Sequence, residues 1–260
     1  MSTAPGAPAD DIAVFDLDRT LGGSVALLLL SRGVGASQRT RNAVGMIVDR
    51  ATRPARRWAG LEETTTLEAL FQVLAGRQVE AVRKAARTVA TTEILPRVHP
   101  QVARIIAANN AVGYATALVT TAPEELARAV ADTLDVEYVV ATRSEVDARG
   151  RLTGRPDGEL NTGPVKLTRV QALLDELGLD LSQAHVYSDA SGSRELLEAA
   201  GFKHVVNPDG ALRQRALDEG WAVHDVRPVG WLWAAELPGA ATIGAAGAGL
   251  VAGWILRGHR

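Results

Sequence analysis

The chain has 260 residues, 47% of them hydrophobic and 22% charged, with a formal net charge of −2. That balance describes an ordinary globular protein with ample material for a core, and it excludes a globally basic nucleic-acid binder. With no cysteine there are no disulfides, no thiol catalysis and no thiolate metal site, which suits a reducing cytoplasm.

Residues 1–10 are small, polar and acidic; they lack the basic and apolar regions of a secretory signal and are expected to form a disordered leader. IAVFDLD, residues 12–18, is a short apolar run ending in acids, the pattern of a buried parallel strand that delivers Asp16 and Asp18 to its carboxyl end. From about Ser24 to Leu95 the segments VALLLLSR, TRNAVGMIVDRA, TTLEALFQVLAG and VEAVRKAARTVATTEIL repeat apolar residues at helical spacing. This is a helical insertion, too long for a loop. From Arg32 to Arg57 it carries seven arginines against one acid, Asp49. A solvated helical face, a contact with anionic lipid and a funnel for substrate phosphate all remain open for this stretch.

After Pro96 the pattern becomes βα winding: helix VARIIAANNAVG, strand YATALVT, helix PEELARAVADTL, strand VEYVVAT. A glycine-rich hairpin, SEVDARGRLTGRP, leads to helix KLTRVQALLDELG, strand AHVYS, helix RELLEAAG, strand KHVVN, helix GALRQRALDEG and a last short strand, WAVHDV. The expected fold is α/β, a Rossmann-like open parallel sheet with a helical cap inserted after the first strand. The core comprises residues 11–23 and 96–228, the cap 24–95, and a hydrophobic tail 229–260.

An open parallel sheet binds ligands at the carboxyl ends of its strands. Asp16, Asp18, Thr120, Lys166 and Asp189 all emerge there. Taken singly, each also reads as a helix cap, a turn hydroxyl or a solvated first-turn residue. Taken together, three carboxylates at one edge require a cation, and hard oxygen ligands suit magnesium.

FDLDRT, with Asp16, Asp18 and Thr20, resembles the DxDxT motif of the haloacid dehalogenase superfamily of phosphohydrolases. LVTTAP resembles its second motif, GPVK its third and YSD the start of its fourth, in the same order. The phrases ATRSEVDARGRLTG and VNPDGALRQRALDEGW are similar to the phosphoserine-phosphatase-like branch, known as subfamily IB, which carries a helical cap between the first two motifs. The resemblance implies a magnesium-dependent phosphomonoesterase working through an aspartyl phosphate. In it Asp16 is the nucleophile and Asp18 the general acid and base. Asp16, Asp18 (through its carbonyl) and Asp189 hold the metal. Thr120 and Lys166 bind the phosphoryl group, and Lys166 also neutralises Asp16. Thr20 shapes the turn, Thr121 is a weaker candidate beside Thr120, and Arg19 has two readings, a contact to an acidic substrate group or a charge that neutralises the neighbouring acids.

Ser193 stands where the branch has a second aspartate, and Glu195 reads as a solvated first-turn glutamate. The substitution is expected to weaken magnesium binding rather than abolish it. Phosphoserine phosphatases have a glutamate five residues after the motif threonine; here the position is Val25, which argues against phosphoserine.

GAATIGAAGAGLVAGWIL, residues 239–256, is an uncharged run preceded by Trp231 and Trp233 and carrying Trp254 near its end, with Gly249 and Gly253 in a GxxxG spacing. Its length is near the minimum for a membrane span. A soluble packed helix and a monotopic anchor remain alternatives. The expected protein is cytoplasmic, attached to a membrane through this tail, and acts on a small phosphorylated substrate, a lipid or prenyl phosphate among the candidates. No nucleic-acid partner is expected, since the arginines lie in one inserted segment without a base-reading motif. The competing reading is a catalytically weakened relative that binds phosphorylated ligands or membranes.

Overall fold

The computed structural model describes residues 10–17, 71–72, 74–190 and 192–226. The leader, most of the expected cap, Asp18, Arg19, Thr20 and the tail from 227 onward lie outside the described residues.

Strand β1, Ile12–Asp16, is central and entirely buried. Helix α1, Val79–Val89, follows from the end of the inserted segment and buries Val82, Ala86 and Val89, one stripe at helical spacing. It runs into a π-turn, Ala90–Ile94, and a 3₁₀ turn, Leu95–Arg97. The buried face of α1 joins the same apolar cluster as Phe15 and Leu17, so this last helix of the 24–95 segment shares the core of the sheet.

Winding then proceeds through α2 (Pro100–Ala111), β2 (Ala115–Pro123), α3 (Glu124–Leu134) and β3 (Tyr138–Thr142). The hairpin β4 (Ser144–Val146) and β5 (Leu152–Pro156) is antiparallel and separate from the main sheet. After it come α4 (Gly163–Leu177), β6 (Ala184–Ser188), α5 (Arg194–Ala199), β7 (Phe202–Val206), α6 (Gly210–Asp218) and β8 (Ala222–His224). Gly178 closes α4 at φ 72°, a left-handed cap that costs glycine little.

The sheet order is β3-β2-β1-β6-β7-β8, with every pairing parallel. The chain winds outward from β1 through β2 to β3, then returns to the other side of β1 and winds through β6 to β8. The switch point therefore lies between β1 and β6, and open α/β sheets bind ligands beyond the carboxyl ends of the strands at such a point.

Side-chain alternation decides which layer each strand residue meets. Ala13, Phe15 and Leu17 face the layer of α1 to α3, whereas Ile12 and Val14 face the layer of α4 to α6. Asp16 continues the second series. On β6, Ala184 and Val186 pack into that same layer, and Ser188 follows them.

A row of histidines crosses the other half of the sheet. His185 Nδ1 lies 3.2 Å from His204 Nε2, and His204 Nδ1 lies 3.1 Å from His224 Nε2. Phe202 stacks on His185 and Tyr187 on His204, each with ring centroids 4.1 Å apart. Burial, with the neighbouring His224 and His185, pushes His204 down to about 4 from the ordinary 6.5. Burial lowers His185 and His224 as well.

The unfolded chain takes up protons as pH falls through 6.5, while folded His204 stays neutral until about 4. Stability from this row is therefore complete above the unfolded value and is lost as pH falls towards the folded one. The melting temperature should decline between pH 7 and pH 4.5, and His204→Gln should flatten that decline in thermal melts monitored by circular dichroism.

Candidate active site

Asp16 ends β1 with 3% of its surface exposed, Lys166 in the first turn of α4 has 1%, and Ser193 before α5 has none. All three meet on the side of the sheet that strand parity assigns to Asp16. The chain reaches it through Gly163 and Pro164 at the start of α4, where a proline at the first turns forfeits no helical bond.

Ser193 Oγ donates to Asp16 Oδ2 at 2.6 Å and accepts from Lys166 Nζ at 2.6 Å. Lys166 Nζ is 3.6 Å from Asp16 Oδ1. Ser188 Oγ donates to Asp16 Oδ2 at 3.1 Å and accepts from the Ala190 amide at 3.0 Å. The last bond closes the turn after β6 and ties the segment carrying Asp189 to Asp16. Ala190 adopts φ 66° in this turn, a left-handed conformation unusual for alanine.

Ser193 occupies the N-cap position of α5, where a serine hydroxyl ordinarily accepts from a helix amide. Here its side chain makes no capping bond. The hydroxyl is turned inward to the two charges. Glu195 is exposed in the first turn of the same helix, as expected of a solvated residue.

Thr120 is fully buried on β2, one residue past Val119, the register partner of Asp16. Its Oγ1 accepts from the Ala122 amide at 3.1 Å. Asn161 braces this strand end: its Nδ2 donates to the carbonyls of Thr120 at 2.9 Å and Val140 at 2.8 Å. The Asn161 amide donates to Thr142 Oγ1, which donates in turn to the Thr121 carbonyl. Asn161 Oδ1 is buried with no hydrogen-bond partner among the described residues.

Asp189 immediately follows β6, the strand beside β1. It lines a cavity of about 450 Å³ between α5 and α6, together with Arg194, Glu198, Arg215 and Trp221. Asp16 and Asp189 thus end adjacent strands, and among the described residues Ser188 and Ser193 donate hydroxyl bonds to Asp16 while Lys166 stands 3.6 Å away. Carboxylates and hydroxyls are the hard oxygen donors that magnesium takes, through one or two carboxylates plus substrate phosphate, so the residue types at these two strand ends suit it. Among the described residues no group of three or more histidine, cysteine, aspartate or glutamate side chains converges as a metal cage.

The sequence points to Asp16, Thr120, Lys166 and Asp189, and the structure places all four at the carboxyl edge of the sheet, with Asp16, Lys166 and Ser193 in one cluster. It adds Ser188, Asn161 and Thr142. For Ser188 the signal was present, a hydroxyl at a strand end beside the first strand; Asn161 lies in a loop without periodicity and gave none.

The family model for haloacid dehalogenase-like hydrolases matches residues 13–198. The chain belongs to that family. Within it, the haloacid dehalogenase-like chain is 33% identical over 155 residues to the inhibition of morphological differentiation protein of Streptomyces azureus, covering 59% of this chain and 56% of the relative. It is 34% identical over 135 residues to a phosphoserine phosphatase of Mycobacterium tuberculosis, covering 52% of this chain and 44% of the relative. The chain thus spans about half the length of these curated relatives. A solved structure from Bordetella pertussis, of unknown function, superposes with a TM-score of 0.70 at 26% identity and covers 84% of this chain and 99% of that one.

Asn161→Ala removes the donor shared by two buried carbonyls and should cost about 2–3 kcal/mol, since buried acceptors lose their partners. Urea unfolding of the full chain, read as a lower midpoint at unchanged slope, measures this.

Proposed function

We propose that this chain is a phosphomonoesterase, and the observation that carries the reading is the buried cluster of Asp16, Ser193 and Lys166 at the switch point of a haloacid dehalogenase-like sheet. A buried carboxylate beside a lysine, with hydroxyl donors fixed around it, is built to attack an electrophile rather than to cap a helix. The kinship to a phosphoserine phosphatase supports phosphorus as that electrophile.

In this reading an Asp16 carboxylate oxygen attacks phosphorus. The bond to the leaving alcohol breaks, and Asp18 gives that alcohol a proton, which leaves an aspartyl phosphate. Asp18 then takes a proton from water, whose oxygen attacks phosphorus; phosphate departs and the Asp16 carboxylate is restored. Lys166 neutralises charge gathering on the phosphoryl oxygens, and Thr120 and Arg19 are the further contacts to substrate. Asp16, Asp189 and the carbonyl of Asp18 would hold magnesium, which would supply charge neutralisation between an anionic nucleophile and an anionic substrate. The cap, residues 24–95, selects the leaving group, and Val25 argues for a substrate other than phosphoserine.

A lipid or prenyl phosphate is the substrate class favoured by the uncharged run 239–256 and its flanking tryptophans, features of the sequence alone. Among the described residues no helix is long and apolar enough to cross a membrane. Ser193, in place of an aspartate, favours the second reading, a weakened relative that retains phosphoryl binding with little turnover.

Full-length protein with magnesium should release phosphate from an aryl phosphate, and Asp16→Asn should lower the rate by about a thousandfold or more, as removal of a nucleophile does. Phosphate release untouched by that substitution would sink the mechanism. For membrane attachment, the full chain and a chain ending at 228 should partition differently between pellet and supernatant after ultracentrifugation of expressing cells.

A further inference from the structure

Chemistry fixes the proton arrangement around Ser193. The lysine ammonium carries three donors and no acceptor, so at 2.6 Å the serine oxygen must accept from it. An ionised carboxylate accepts only, so the single hydroxyl proton of Ser193 goes to Asp16 Oδ2. An aspartate at this position could accept from Lys166 but has no proton for Asp16, and two anions would face one another across the cluster. The serine therefore changes the direction of a hydrogen bond as well as removing a charge.

Two consequences follow from the distances. Oδ2 of Asp16 accepts from both Ser193 and Ser188, so the hydroxyl donors gather on one oxygen. Oδ1 has the ammonium 3.6 Å away, beyond hydrogen-bond distance. The two oxygens of one carboxylate are thus made unequal by their donors. Lys166 therefore pairs with Asp16 at 3.6 Å without a direct hydrogen bond, although both groups are buried and their attraction is strong at low dielectric.

We propose that Ser193 is a positioning residue, a hydroxyl spacer that holds Lys166 off Asp16 and occupies Oδ2, so that Oδ1 is the oxygen left to attack. Contact pairing would cover the attacking oxygen and draw the ammonium away from the phosphoryl group. The spacer itself rests on the geometry alone; its kinetic consequence rests on the phosphatase reading above.

Crystal structures of the full-length wild type, Ser193→Ala and Ser193→Thr test the spacer without reference to activity. In Ser193→Ala, Lys166 Nζ should close to within about 3.0 Å of an Asp16 oxygen, a contact ion pair. Ser193→Thr, which keeps the hydroxyl, should retain the bridged arrangement. Turnover of an aryl phosphate with magnesium should show kcat lowered about 10- to 100-fold in the alanine variant, the range for groups that orient others, with KM nearly unchanged. The threonine variant should recover most of the rate. Should Ser193→Ala not fold, Ser193→Cys carries the same expectation, its thiol being a weak donor.

Lys166 unmoved in the alanine or cysteine variant, or turnover at the wild-type rate once the pair has closed, overturns the proposal. A wild type that hydrolyses no phosphate ester, yet whose alanine variant shows the closed pair, leaves the spacer standing and removes the phosphatase reading instead.

Discussion

Burying an ammonium beside a carboxylate takes both out of water, at a cost of roughly several kcal/mol per ion before their attraction and hydrogen bonds are counted. Lys166 and Asp16 meet this constraint with hydroxyl partners: Ser193 between them and Ser188 also on Asp16. Much of the surrounding architecture can be read as supplying those partners. The turn after β6 is held by Ser188, the start of α4 delivers Lys166, and α5 begins without a side-chain cap because its first hydroxyl is employed elsewhere.

Strand parity makes this possible. A shift of one residue along β1 would send Asp16 to the apolar layer of α1 to α3, where Phe15 and Leu17 pack and the described core is hydrophobic. The parallel pairing of β1 with β6 sets Ser188 and Asp189 beside that same strand end. Sheet order, alternation and the switch point thus act together, and the site is a consequence of how the sheet is wound.

The sheet was legible in the sequence because its strands are short, apolar and β-branched, and the helices between them keep one stripe. AHVYS is the observed strand Ala184–Ser188, and PEELARAVADTL loses only its proline to β2. Asp16, Lys166 and Asp189 were legible as polar residues at strand ends and a helix start. The role of Ser193 was not, because a serine before a helix ordinarily caps it, and only the geometry shows the hydroxyl turned inward. Asn161 was hidden for a different reason. Its partners are backbone carbonyls on two strands, and backbone acceptors leave no trace in side-chain pattern.

The histidine row also depends on register, since its members are 19 and 20 residues apart and meet only once β6, β7 and β8 are paired. His204 spends both ring nitrogens on histidine neighbours, and a neutral imidazole has one donor and one acceptor. The three tautomers are therefore not independent: choosing the proton position on one ring sets the other two in sequence. With Asp11 Oδ2 3.8 Å from His185 Nε2, the carboxylate at one end favours a proton on that nitrogen. The polarity of the whole row is then set from a loop beside β1, and three rings on three strands hold their protons as one oriented unit.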